Sequence, residues 1–254
     1  MEETKANDVL DESLFTMSDY GPLKISMPAA APVTDADVDS QIAGYIEASR
    51  AETGDAVEAT DEWVRATFGG LATLADLRSL IRSDLERESR RILNDLKLQR
   101  CNDALVARVE GDVPADVLDE AVASSHDAYL ARLREAGTNK IQYMRERNMT
   151  EEQFQAAMRE DIRYQMLVNV ALDKMAQATG TTVPNAEITE YLACEDPESF
   201  IRELEEKQRV EDARRVAVRV KMMRRLVDTA EVSVEDADPV FVTKDQARQA
   251  VIEQ

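Results

Sequence analysis

Residues 73–109 read TLADLRSLIRSDLERESRRILNDLKLQRCNDALVARV. Thr73 is a good N-cap, and Leu74, Leu77, Ile81, Leu85, Ile92 and Leu96 follow at spacings of three, four or seven. Those spacings place the six side chains on one face of a helix, and the pattern continues to Leu105 and Val109. The stretch predicts one helix of about 35 residues, stopped by Gly111 and Pro114. A helix of that length cannot bury a whole face against one small core, so it reads as a spine or an arm. The chain has only 8 Gly and 7 Pro among 254 residues and few alternating β-branched runs, which extends the helical reading to an all-α fold.

On the N-terminal side, residues 1–20 are acidic and aperiodic and read as a flexible tail. Residues 21–62 read as an extended linker followed by a first helix. Pro22, Pro28 and Pro32 favour extended backbone, a helix begins near Thr34 with aspartates in its first turn, and it ends before Gly54. Residues 54–70 read as a connection, with Trp63 and Phe68 pinning it to a neighbour. On the C-terminal side, Pro114 suits a first helical turn, and Leu118, Val122, Tyr129 and Leu133 line an inner face that ends near Gly137. A short helix covers 139–147. Thr150-Glu151-Glu152-Gln153 is a capping box, after which Phe154, Met158, Ile162 and Met166 step by four toward Gly180. Pro184 starts another helix and Pro197 a last long one that runs to residue 229. A short strand or coil follows from 231, and 244–252 has helical composition. The helical domain is thus expected over 63–235 and a C-terminal tail over 236–254.

The formal net charge is −20, and residues 1–62 hold 15 acidic side chains against Lys5, Lys24 and Arg50, a balance of −12. That balance repels phosphate backbones and anionic lipid heads, so neither nucleic acid nor membrane is expected as a partner. The basic pairs Arg214-Arg215 and Arg224-Arg225 read as a solvated helix face. Cys101 and Cys194 belong to no C-x-x-C motif, which points to reduced thiols and a cytoplasmic setting. No apolar run approaches a membrane span, and Met-Glu-Glu-Thr-Lys at the start does not resemble a secretory signal.

Catalytic motifs are missing. One histidine, His126, and two cysteines cannot supply four zinc ligands. The Asp35, Asp37, Asp39 alternation fails as a calcium loop, because Ser40 and Ile46 stand where glycine and glutamate are needed. Phosphate loops, dinucleotide loops and nucleophile elbows are absent, so neither enzyme activity nor a cofactor is expected. The informative residues are apolar. Met144, Met149, Phe154, Met158, Met222 and Met223 fall on the later helices and are the candidate client-binding residues. Methionine is flexible and repacks around many apolar partners. Any single one of them could instead fill a core between helices; as a set, on long helices with little chain to cover them, they suggest partial exposure.

Several segments, taken in order, resemble the trigger factor family. Pro22-Leu23-Lys24-Ile25 and Val33-Thr34-Asp35-Ala36-Asp37-Val38-Asp39 look like the segment leaving the family's ribosome-binding domain. Trp63-Val64 through Phe68-Gly69, then Leu74-Ala75-Asp76-Leu77-Arg78 with Ile81-Arg82 and Leu85-Glu86-Arg87-Glu88, look like the start of its C-terminal chaperone domain. Val113-Pro114 and Met149-Thr150-Glu151-Glu152-Gln153-Phe154 match the two helices of a first arm, and Val183-Pro184 and Asp196-Pro197 fall where a second begins and turns. The resemblance implies a helical body with a long spine helix and two protruding arms at about 114–180 and 183–230, with the arms and body forming a cradle. It implies an ATP-independent chaperone that holds unfolded or nascent polypeptides, with self-association as a further expectation. The Gly-Phe-Arg docking signature is absent, so ribosome docking does not carry over. Glu58-Ala59-Thr60 joins the flanks of the prolyl-isomerase domain directly, so isomerase activity does not carry over either. A helical scaffold with one specific partner and the helical portion of a periplasmic foldase are the competing readings.

Overall fold

The computed structural model describes residues 10–54 and 56–235. In chain order it contains a 3-10 turn Glu12–Leu14, strands β1 Thr16–Met17 and β2 Lys24–Met27, and helices α1 Asp35–Thr53, α2 Asp61–Thr67 and α3 Leu74–Val106. Strand β3 Val109–Glu110 precedes α4 Ala115–Glu135, α5 Lys140–Glu146 and α6 Glu151–Thr179. A 3-10 turn Asn185–Glu187 leads into α7 Ile188–Tyr191, α8 Pro197–Glu206, α9 Val210–Thr229 and β4 Glu231–Val234. The fold is all-α, with two small two-stranded pairings, β1 with β3 and β2 with β4. The described residues divide into two compact units, those of 26–97 with 233–235, and 10–25 with 98–232.

In the first unit, helix starts are set by side-chain caps. Thr34 and Asp37 form a capping box, the Thr34 N–H donating to Asp37 Oδ2 at 2.7 Å and the Asp37 N–H to Thr34 Oγ1 at 3.3 Å. Thr73 and Asp76 repeat the arrangement at the head of α3. Gly54 ends α1 at φ 74°, a left-handed conformation that costs glycine little. Val38, Ile42, Val64, Leu77 and Ile81 form the core, with Trp63, Phe68, Leu74 and Leu85 packed around it. Arg78 pairs with Asp39 at 2.6 Å, and Arg82 binds Val33 O at 2.9 Å and the Asp35 carboxylate, so α3 holds the first turns of α1. The expected connection over 54–70 in fact contains α2, because Thr60 caps it through the Trp63 N–H and Val64 enters the core.

In the second unit, α4 and α6 lie against each other, with α5 at their connection. Leu118, Ala121 and Tyr129 of α4 meet Phe154, Met158, Ile162 and Met166 of α6 in one core. Tyr129 and Tyr143 both sit edge-on to Phe154, with ring centroids 6.0 Å apart. Thr150 and Gln153 form the expected capping box, and Gly180 closes α6 at φ 62°. A second core in this unit gathers Val183, Ile188, Leu204, Ala213 and Ala217. The single long helix expected from Pro197 is broken at Lys207–Arg209. There the Arg209 N–H donates to Leu204 O and the Gln208 N–H to Glu205 O, a Schellman closure with Gln208 at φ 54°. Gln208, not glycine, fills the left-handed position of this break.

Residues 10–23, read from sequence as part of a flexible tail and linker, form a docked strap from Leu10 onward. Leu10, Phe15, Met17 and Leu23 are buried, each removal from water contributing about 1.5–3 kcal/mol. Strand β1 pairs antiparallel with β3 in the register Thr16 to Glu110 and Met17 to Val109. The Arg108 guanidinium donates to Gly21 O and Pro22 O, both at 2.7 Å. Gly111 stands at φ 113°, and a Cβ there would lie 2.6 Å from Leu14 O, so the strap and the β3 turn require glycine at this point. The expected strand after 231 is β4. The expected helical composition over 244–252 and the tail over 236–254 lie outside the described residues.

Candidate polypeptide-contact surface

The six candidate client-binding residues fall into two environments. Phe154, Met158 and Met222 are buried at 0, 1 and 1 % exposure and belong to the packed interior. The sequence suggests partial exposure for the set, whereas the structure buries these three: the four-residue step that carries Phe154 and Met158 points them toward α4. The Met222 sulfur instead lies 3.8 and 3.7 Å from the Thr179 and Thr181 hydroxyl oxygens. Met144, Met149 and Met223 are half-buried and retain surface. Met144 packs on the same core as Phe154 and Met158, so the structure brings these three together and leaves Met222 and Met223 apart on α9.

Sequence reading missed Ile141, at 78 % the most exposed of the large apolar side chains among the described residues. Asn139 caps α5 by accepting from the Gln142 N–H, and the helix is only two turns long. Its inner side carries Tyr143 and Met144, which join the hairpin core, and Ile141 and Arg145 fall on the outer side. The short length of α5 hid this signal, because two turns give too few residues for a periodicity to emerge. A separate open groove of about 620 Å³ is lined by residues that include Cys194, Asp196, Ser199, Phe200 and Glu203.

Charge fixes how these elements are held. Asp173 on α6 is 7 % exposed at its side chain and accepts from Arg219 through both oxygens, at 2.9 and 2.6 Å. Arg215 adds bonds to Asp173 Oδ2 at 3.0 and 2.8 Å and pairs with Glu12 of the strap. Gln177 reaches the other Glu12 oxygen at 3.0 Å. One buried carboxylate thus gathers two guanidiniums and links α6, α9 and the strap, satisfying charges that would be costly if buried alone. Tyr129 donates to Asp161 at 2.8 Å, and burial, helped by that carboxylate, pushes its pKa above the ordinary tyrosine value. Tyr164 behaves alike beside Asp103. The Arg163 guanidinium holds the Asp112 carboxyl below its usual range. His126 lies at the surface, 3.3 Å from Asp127.

Among the described residues, no three His, Cys, Asp or Glu side chains are grouped so as to hold a metal ion, and no helix is long and apolar enough to cross a membrane.

The family model for the bacterial trigger factor protein C-terminus matches residues 73–228. A trigger factor of Finegoldia magna is 23% identical over 188 residues, covering 71% of this chain and 42% of that protein. A trigger factor of Frankia casuarinae is 27% identical over 134 residues, covering 53% of this chain and 28% of that protein. The chain therefore spans less than half the length of these curated relatives.

Proposed function

Since the chain belongs to the bacterial trigger factor C-terminus family, we propose that it is an ATP-independent chaperone that holds unfolded or nascent polypeptides in the cytoplasm. The observation that carries this reading is the second unit's hairpin of α4, α5 and α6, which displays Ile141 openly beside half-buried Met144 and Met149. The working domain is residues 63–235, with arms at about 114–180 and 183–230. A client's apolar segment docks on these side chains. Removing about 200 Å² of apolar area from water contributes about 5 kcal/mol before ordering costs, which gives weak, reversible holding. The role is one of binding. Phe154, Met158 and Met222 serve it from beneath, by supporting the surface, and Met144, Met149 and Met223 contact the client.

The test is light scattering as a chemically unfolded, aggregation-prone protein is diluted into buffer containing this chain without ATP. Suppression near stoichiometric amounts is expected, and Met144→Ser with Met149→Ser weakens it while the thermal unfolding curve stays cooperative. No suppression over a wide excess refutes holding and favours the scaffold reading, in which one specific partner binds and unfolded chains do not.

A further inference from the structure

We propose that the strap is a brace for the last helix. Docked, it holds α9 on α6 from both ends; lifted, it lets α9 loosen and enlarges the apolar surface that the second unit presents. This device goes beyond the polypeptide-holding reading and stands whatever the chain binds.

The strap meets α9 at two points. In the first half of the helix, the Glu12 carboxylate accepts from Arg215 through one oxygen and from Gln177 of α6 through the other, the latter at 3.0 Å. Just past the end of the helix, the Glu231 N–H donates to Leu23 O at 2.8 Å. Between these points β3 and the turn before it hold the strap. The Ser18 N–H donates to Arg108 O at 2.9 Å, and the Arg108 guanidinium reaches Gly21 O, Pro22 O and, at 3.3 Å, Asp19. The helix from Arg215 to Thr229 is about 21 Å long, and the chain from Glu12 to Leu23 reaches at most about 36 Å. One strap therefore spans both points, with slack for its 3-10 turn.

The ties differ in how readily they yield. The Arg215 and Glu12 side chains are 31 and 26 % exposed, so water and salt compete for this pair. Asp173 is nearly buried and keeps its bonds to Arg219 when the strap lifts. The helix then stays tied to α6 at one point while its outer anchors are gone. Leu10 and Phe15 leave the hairpin core in the same step, and the buried Met222 lies in the stretch of α9 between the two lost anchors. A local opening of this kind couples two elements without unfolding the unit that holds them.

Hydrogen–deuterium exchange of the full chain, read by mass spectrometry, tests the brace. Glu12→Gln keeps the length of the side chain and removes its charge. Gly111→Ala pushes on Leu14 O from the β3 side instead. In both variants the amides of the strap and of α9 are expected to exchange about tenfold faster. Those of α1 stay unchanged, those of α4 accelerate less, and the fluorescence of a dye that binds apolar surface rises. Acceleration confined to the strap overturns the proposal, because α9 then does not sense the strap. Unchanged exchange throughout overturns it as well. Acceleration of α4 equal to that of α9 also overturns it, because the whole unit has then loosened. Suppression of aggregation is scored separately, and its absence in the unmodified chain bears on the holding reading alone.

Discussion

Replacing Asp173 with alanine removes the acceptor for two guanidiniums at once. The Arg219 side chain is 10 % exposed and donates two bonds to Asp173, so the variant leaves a buried, unpaired cation. Arg215 keeps Glu12 as a partner and is less affected. Breaking a buried pair from one side costs about 3–5 kcal/mol, a large share of the 5–15 kcal/mol, roughly, that holds an ordinary domain together. At a urea slope of about 2 kcal/mol per molar, the unfolding midpoint moves down by about 1.5–2.5 M. Arg219→Ala costs less, because Arg215 still satisfies Asp173. The double replacement Asp173→Leu with Arg219→Met recovers much of the loss, since it removes the stranded charge as well as its partner. Equilibrium unfolding in urea, followed by circular dichroism, ranks the three variants. A loss under about 1 kcal/mol for Asp173→Ala, or a larger loss for Arg219→Ala, refutes the assignment of Asp173 as the centre of this network.

Three further outcomes follow from the packing. Phe154→Ala empties a fully buried site between Tyr129 and Tyr143 and lowers stability by about 3–5 kcal/mol in the same urea assay; a loss near zero means Phe154 was never packed there. Gly111→Ala places a Cβ against Leu14 O at a positive φ and costs about 1–3 kcal/mol, read as faster proteolysis within residues 10–23, whereas unchanged cleavage contradicts the docked strap. Tyr129 has a folded pKa raised above its unfolded value, so its contribution is fully present below about pH 10 and is lost as pH rises further, toward the folded value. Urea midpoints measured from neutral pH upward therefore fall in strong alkali, and Tyr129→Phe makes that fall shallower; identical slopes remove Tyr129 as a cause.

Local chemistry was legible wherever the deciding residues were neighbours in sequence. The helix start near Thr34 with its first-turn aspartates, the capping pair Thr150 with Gln153, the start of α3 near Thr73 and the stop at Gly180 all rest on residues a few positions apart. The break between α8 and α9 was not legible, because Gln208 takes a conformation usually marked by glycine or asparagine. The strap escaped for a different reason. Phe15 and Met17 alternate over too short a run to read as a strand, Leu10 stands outside that alternation, and their partners lie far along the chain. At the contact surface, spacing identified Phe154 and Met158 as members of one helix face, but the same stripe describes a core face and an open one. What faces the stripe decides between them, and α4 does so through Leu118, Ala121 and Tyr129.

The docked strap imposes an order on synthesis. Thr16 and Glu110 are 94 residues apart, and Glu12 and Arg215 are 203 apart. A ribosome adding about 5–20 residues per second takes about 10–40 s to pass from Glu12 to Arg215, and Leu10 and Phe15 wait through most of that time for α6 to be made. During that interval the chain is itself an unfinished polypeptide with an uncovered apolar end. It gains its last clasp only when α9 has left the tunnel, so fragments that stop short of α9 keep the strap on β3, α4 and α6 but lack the Glu12–Arg215 pair.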